Sequence, residues 1–452
     1  MSSTAEDLRG NPVGTRVAAA RDAAERALWC AMSFCGSPLP DLGAAIEADP
    51  AWLLPHVMKA GWRLSLAEPR ELAAARREVD TAAALEADAP PRERAHLAAV
   101  QQLLEGRWHQ ACETWDALLL EHPRDALALQ WAQQWDFFRG DAVALRARPA
   151  RSLPEWEEGD ALYPFVLGLH AFGLEECNFH PQAEDTGRRA LQGETSVPWA
   201  VHAVAQVMEM QGRFEDGTAW LRQQQPKWAD GNGFAAHLWW HLGLFRLEAL
   251  DEAGVLRLLD QHLSGEALQA TSHRVDAAAL LWRLRLLGVD VQARFQALAE
   301  AWPLADEDAG YYAFNDLHVL IALAGAGDLP RADRWLARCA ERAMQPEDAR
   351  RSNHAIAREV GLPLMRAVLA HVRGDHDGAA QALYAVRRIA HRCGGSHAQR
   401  DLIDQTLLAA CAEGGQRTLG RALLNERLMA KPVTPLTRHW MQRLAVDSQE
   451  RA

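Results

Sequence analysis

A spacer of the form small-x-x-x-x-small recurs along this chain and constrains what it can fold into. It can be read at Gly106/Ala111, Asn178/Ala183, Gly212/Gly217, Glu248/Ala253, Gly288/Ala293, Gly327/Ala332, Gly374/Ala379 and Gly415/Gly420, with Gly140/Leu145 as a weaker copy. The intervals run roughly 34 to 47 residues, the range of two-helix repeats such as the tetratricopeptide. The first residue of each pair ends a helix, where glycine tolerates positive φ. The second lets two helices of a hairpin approach closely. The pattern predicts an all-α solenoid of stacked antiparallel helix pairs, a superhelix with a concave groove. One unit shows it in full: HLAAVQQLLEGRWHQACETWDALLLEHPRDALAL is a helix, a glycine turn, an aromatic, a helix and then a proline.

The rest of the chain fits that plan. Residues 1–15 are polar and expected to fray, and 16–452 read as one continuous repeat domain. A first helix is expected from about Val17 to Cys35, and Pro-Pro at 90–91 suits a helix start. The stretch RARPARSLPEWEEGDALYPF reads as a loop and QPEDARRSN as a polar break. There are 17 Trp against 4 Tyr. Large flat rings suit the wedge between helix layers, or the wall of a ligand groove.

Charge excludes one class of partner. The net charge is −12, the bases are almost all Arg, and Lys occurs only at Lys59, Lys227 and Lys431. No basic stripe is visible, so nucleic acid is not an expected partner. The seven Cys are scattered without a CxxC pair, which suits a reducing compartment. The start, MSSTAEDLRGNPVG, lacks the pattern of a secretory signal, and no apolar run approaches a membrane span. A soluble, cytoplasmic protein is expected.

Four places carry polar residues where a pure scaffold would carry Ala or Leu. In WAVHAVAQVMEMQGR, His202, Gln206 and Glu209 share one helix face. In HLWWH, His237 and His241 point the same way and can share a divalent metal. Leu238 stands where a zinc peptidase needs its Glu, so that mechanism is not supported. In FNDLH, Asn315 and His318 lie one turn apart. Asp316 points elsewhere, unless the helix begins there and Asn315 or Asp316 caps it. In GGSHAQRD, Ser396 can cap a helix whose first two turns hold Gln399, Arg400 and Asp401; Arg offers a fork for carboxylate or phosphate, or an Arg–Asp brace between repeats. Three of these motifs fall on first helices of hairpins, which line the concave side of such stacks.

The strings WAVHAVAQVMEM, WWHLGLFRLE, VDAAALLWRLRLLGVDV, FNDLHVLIALAGAGD, REVGLPL, GGSHAQRD and LLNERLMAKPVTPL keep their order from about residue 160 to 437. With PHVMKAGW in the N-terminal part, they resemble the tetratricopeptide repeat protein 38 family. The resemblance implies a soluble, intracellular helical superhelix. It marks His202, Glu209, His237, His241, Asn315, Asp316, His318, Gln399, Arg400 and Asp401 as family-defining positions. This chain departs from the family pattern at Gln206, His397 and Ala409, which fits a polar ligand pocket better than a multi-His metal site.

Three functions remain open on these residues. In the first, the groove binds a small polar molecule, a peptide or a protein segment through His237, Asn315, Gln399, Arg400, Asp401 and Glu209. In the second, the chain is an enzyme, a hydrolase or lyase, with His202, His241, His318 and Asp316 as catalytic groups and a divalent metal on His237 and His241. In the third, the polar residues only register one repeat on the next, and the protein is an adaptor. No serine elbow, Walker loop or dinucleotide fingerprint supports other chemistries; AGAGD at 324–328 reads as a turn.

Overall fold

The structure, a computed structural model, describes residues 5–193, 196–305, 308–431 and 434–445. They form helix after helix: α1 Ala18–Ser33, α2 Leu39–Ala48, α3 Leu54–Ser65, α4 Leu72–Ala84, α5 Pro91–Leu104, α6 Trp108–Glu121, α7 Ala126–Phe138, α8 Ala142–Ser152, α9 Tyr163–Glu176, α10 His180–Ala190, α11 Pro198–Met210 and α12 Phe214–Gln224. The second half continues with α13 Ala235–Glu248, α14 Glu252–His262, α15 Thr271–Leu286, α16 Gln292–Glu300, α17 Ala313–Gly325, α18 Leu329–Ala343, α19 Ser352–Ile356, α20 Leu362–Val372, α21 His376–Val386, α22 His397–Glu413, α23 Arg417–Ala430 and α24 Pro435–Leu444. Strand is confined to β1 Ala5–Glu6 paired antiparallel with β2 Pro12–Val13 and to an isolated bridge, among the described residues. The fold is an all-α helical repeat. No described helix is long and apolar enough to cross a membrane.

The turns explain the spacing read in the sequence. Gly140, Gly327 and Gly374 sit at φ of 66°, 83° and 84°, each followed by an Asp. Asp141, Asp328 and Asp375 then cap α8, α18 and α21 by accepting the amide three residues on. At the α13–α14 turn the left-handed residue is Leu250, φ 57°, and Asp251 is the cap. Glu248 is therefore a buried helix residue and not the turn position that the sequence suggested; a non-glycine turn displaced the register by two. Gly415 is likewise not at positive φ, although Gly420 is buried as expected.

The second small residue does the close-approach work. A methyl group at Gly217, on α12, would collide with the Phe245 ring of α13. Gly217→Ala should therefore cost about 1–3 kcal/mol of stability by overpacking, measured as a lowered urea midpoint at unchanged m-value.

By its internal contacts the chain divides into two compact units: residues 1–204, 224–235 and 350–352, and residues 205–223, 236–349 and 353–452. In the first, Trp108, Trp115 and Trp135 are fully buried, with Trp108 stacked obliquely on Trp135 at 5.0 Å. In the second, Trp240, Trp282, Phe245, Phe295 and Trp440 fill the core. These rings follow the interlayer reading.

Two local expectations change. Residues 5–15, expected to fray, are tied down: Gly14 N–H donates to Glu93 Oε1 at 2.8 Å, and Arg9 forms a forked pair with Glu25. Residues 1–4 lie outside the described set. The segment from Arg146 to Ser152, expected as loop, is the last part of α8. Pro149 sits inside it, and buried Arg148 anchors it by ion pairs to Asp136 and Asp116.

Candidate functional site

The second unit holds a continuous buried polar network, and first helices of hairpins supply most of it. Glu209 comes from α11, His237, His241 and Glu248 from α13, Asp276 and Arg283 from α15, His318 from α17, and Asp401 and Gln405 from α22. All but His237 are buried. Apolar residues at the flanking helical positions seat these helices, so the polar side chains on the same faces are carried inside with them.

Lys431 joins two carboxylates. Its ammonium donates to Glu209 Oε1 at 2.8 Å and Glu248 Oε1 at 3.0 Å, and the Thr434 hydroxyl donates to Glu248 Oε2 at 2.7 Å. Arg427 clamps Asp401 through both guanidinium nitrogens. Gln405 Nε2 donates to Asp401 Oδ2 at 2.7 Å. Burial opposes charge on Asp401, but Arg427, Lys431 and Arg283 outweigh it and hold the carboxyl well below its ordinary range. The two glutamates diverge. Burial pushes Glu209 up, against the pull of Lys431. Burial acts on Glu248 too, but Lys431, Arg427 and the Thr434 hydroxyl together hold it down.

Arg283 lies at the middle. Its Nη2 donates to the Ala398 carbonyl at 2.7 Å, and its guanidinium stands 5.6 Å over the Trp240 ring. Burial pulls it down to about 10, opposed by Asp401 and Glu209. Trp240 in turn stacks on His237, centroids 5.1 Å apart, and meets His241 edge-on at 4.9 Å. His237 Nδ1 bonds Asp276 Oδ2 at 2.8 Å, which fixes the imidazole's orientation. The His237 and His241 rings are 4.9 Å apart and perpendicular.

His318 closes this side. Its Nδ1 lies 2.7 Å from the Phe314 carbonyl, so Nδ1 carries the proton and Nε2 holds a lone pair. Burial lowers the ring's pKa to about 4, so it is neutral at pH 7.

Asp316, Gln399 and Arg400 are engaged elsewhere. Asp316 faces away from His318: its Oδ1 accepts the Gly310 amide at 3.1 Å, and burial raises it to about 7. Neither Asn315 nor Asp316 caps α17, which begins at Ala313. The first-turn amide of Ala313 is met instead by Asn353 Oδ1. Asn315 is half-buried on that turn. Ser396 and Gln399 form a reciprocal capping box on α22, which takes Gln399 into the helix start. Arg400 donates to the Gly395 carbonyl, and the brace to Asp401 comes from Arg427. His202 belongs to the first unit, buried among Phe172, Trp199 and Phe234 with centroids 5.1–5.4 Å away.

Sequence reasoning missed Arg283, Asp276, Glu248, Arg427 and Lys431. One signal was available for the last: with three Lys in the chain, one placed at the end of a helix in LLNERLMAKP is out of keeping with an Arg-coated surface. No model of a known protein family matches the chain.

Proposed function

We propose that the second unit is a binding module for a small polar ligand or peptide end rich in N–H donors, received by the network around Arg283. The observation that carries the reading is a set of three buried acceptors. Glu209 Oε2, Gln405 Oε1 and His318 Nε2 have no hydrogen-bond partner among the described residues. Each is one step from Arg283: Glu209 and His318 feel its charge, and Gln405 is bonded to Asp401, which does. A scaffold has reason to pair such atoms, since each buried orphan costs about 1–3 kcal/mol. An ammonium or amide group would satisfy them. The half-buried His237 is the edge of the network through which a ligand would enter. Several of the strings that resemble the tetratricopeptide repeat protein 38 family fall on this network's helices and support a tetratricopeptide-like binder. The seven unbridged cysteines support a cytoplasmic setting.

Native mass spectrometry of the purified full chain tests this, followed by thermal-shift titration with alkylamines, amino acids and dipeptides. A retained mass, or a melting shift that Glu209→Gln weakens at least 10-fold, is expected. If no retained mass appears and no compound in the panel shifts the melt, the acceptors belong to an interhelical brace and the binding reading falls.

One observation favours an enzyme as the second reading. Glu209 and Glu248 share Lys431, but Glu248 also takes the Thr434 hydroxyl and lies 3.6 Å from Arg427, so the two carboxyls are held differently, as an acid and a base would be. A hydrolase or lyase would convert the retained ligand to a product on incubation; a binder would return it unchanged.

A further inference from the structure

A separate group of side chains gathers at one end of three helices of the second unit. His371 lies on the last turn of α20, His376 is the first residue of α21, and Glu413 is the last residue of α22. Gly374, at φ 84°, makes the turn that brings the two histidines face to face. His371 Nδ1 and His376 Nδ1 are 3.2 Å apart. Glu413 Oε2 is 3.4 Å from His376 Nδ1 and 3.8 Å from His371 Nε2. In a tetrahedral zinc site with Zn–N near 2.05 Å, the edge between two ligand nitrogens is about 3.3 Å. The separation of the two Nδ1 atoms matches that edge, and one ligand atom from each of the three residues lies within 4.8 Å of the other two.

Two contacts outside the trio hold it in place. Arg443 Nη2 donates to Glu413 Oε1 at 2.8 Å, which turns Oε2 toward the imidazoles. Asp377 Oδ1 accepts the Gly415 amide at 2.8 Å and so pins the start of α21 to the end of α22. The trio opens on a cavity of about 430 Å³ walled by Arg285, Gly288, Asp290 and Gln292. From these distances and this opening we propose that His371, His376 and Glu413 bind a zinc-class divalent ion with one position open to the cavity. Three protein ligands and an open position are the pattern that takes water or a substrate group as the fourth. Arg285 on the cavity wall and Arg443 beside Glu413 suit an anionic group there. The inference is independent of the interior network around Arg283.

The experiment is titration of chelator-treated full-length protein with Zn²⁺ by calorimetry and with Co²⁺ by visible absorption. One ion per chain is expected, with the intense Co²⁺ bands of tetrahedral coordination. His376→Ala and Glu413→Gln should each weaken Zn²⁺ at least 100-fold, and Arg443→Met about 10–100-fold through the lost orientation of Glu413. His376 is partly exposed, so its variant should melt like the wild type in chelator, separating ligand loss from misfolding. His241→Ala should leave the stoichiometric site intact. No stoichiometric binding, or binding that survives His376→Ala and Glu413→Gln, would overturn the proposal; so would loss of the ion in His241→Ala alone, which would move it to the HLWWH pair.

Discussion

Lys431→Met should destabilise the protein by about 3–5 kcal/mol, the range for removing one partner of a buried ion pair. Lys431 is 2% exposed and is the one ammonium between two buried carboxylates. Methionine keeps the stem's volume and removes the ammonium with its donors, so the loss reports the ion pairs and hydrogen bonds and not a cavity. The pH dependence provides a sharper check. Lys431 is held above its ordinary range by Glu209 and Glu248, despite burial. Its contribution is therefore fully present below the unfolded pKa of about 10.4 and does not vary around neutrality. In the variant, burial pushes Glu209 further up without an opposing ammonium, while Glu248 keeps Arg427 and the Thr434 hydroxyl. A carboxyl raised in the folded state stabilises below its unfolded pKa of about 4.3 and loses that as pH rises. The deficit should thus be small near pH 4–5 and grow toward pH 8. A second substitution, Glu209→Gln, removes one stranded charge and should recover part of the loss. Urea midpoints of the single and double variants at pH 5 and pH 8 measure all three effects; a pH-independent deficit would contradict the assignment.

The network also shows where sequence reading reaches and where it stops. Glu209, His237, His241, His318 and Asp401 were legible because each interrupts an apolar helical face, a local signal. Arg283, Arg427 and Lys431 were not, because their partners are remote. Glu209 and Lys431 are separated by 222 residues and Arg283 and Ala398 by 115. A basic residue in a last helical turn reads equally well as solvated complement to the helix dipole. The trio of His371, His376 and Glu413 was hidden for a related reason. Its histidines straddle a turn at i, i+5, which is no single-helix spacing, and its glutamate comes from another hairpin.

The architecture was legible because glycine and aspartate punctuate it chemically. Gly140–Asp141, Gly327–Asp328 and Gly374–Asp375 each end one helix and cap the next. The reading failed where that chemistry is substituted. At the α13–α14 turn Leu250 takes the left-handed position, so the eye falls two residues early on Glu248, which is a buried member of the polar network. The division into two units was not legible either. Contacts that define units join segments distant in sequence, and no Pro- or Gly-rich linker marks residue 204 or 353.

In the first unit the largest effect is expected at Asp125, where one side chain does two jobs. It is the N-cap of α7, its Oδ1 accepting the Ala128 amide at 3.0 Å. Its Oδ2 takes Arg92 Nε at 2.6 Å and His96 Nε2 at 2.9 Å. All three side chains are buried. His96 is further held by Trp115, whose Nε1 donates to its Nδ1 at 3.2 Å. That bond makes Nδ1 the acceptor and Nε2 the proton carrier, so the imidazole donates to Asp125. Asp125→Ala should cost about 3–5 kcal/mol, because Arg92 is left buried without its closest countercharge, with Asp7 at 3.7 Å and Glu93 remaining. Asp125→Asn keeps a capping oxygen and should retain roughly 1 kcal/mol of that, the worth of the cap. Burial alone would raise Asp125, but Arg92 and His96 outweigh it and hold the carboxyl well below its ordinary range. Its stabilisation is therefore present above about pH 4, the unfolded value, and disappears as pH falls through the folded pKa. Wild type and Asp125→Asn should converge in stability as the pH is lowered below 4, and differ most at pH 7. Denaturation at pH 7 and pH 3, with hydrogen exchange read at α5 and α7, checks both the size and the place of the effect. Equal stability of all three proteins at pH 7 would mean that the Arg92–Asp125–His96 cluster does not hold α5 against α7.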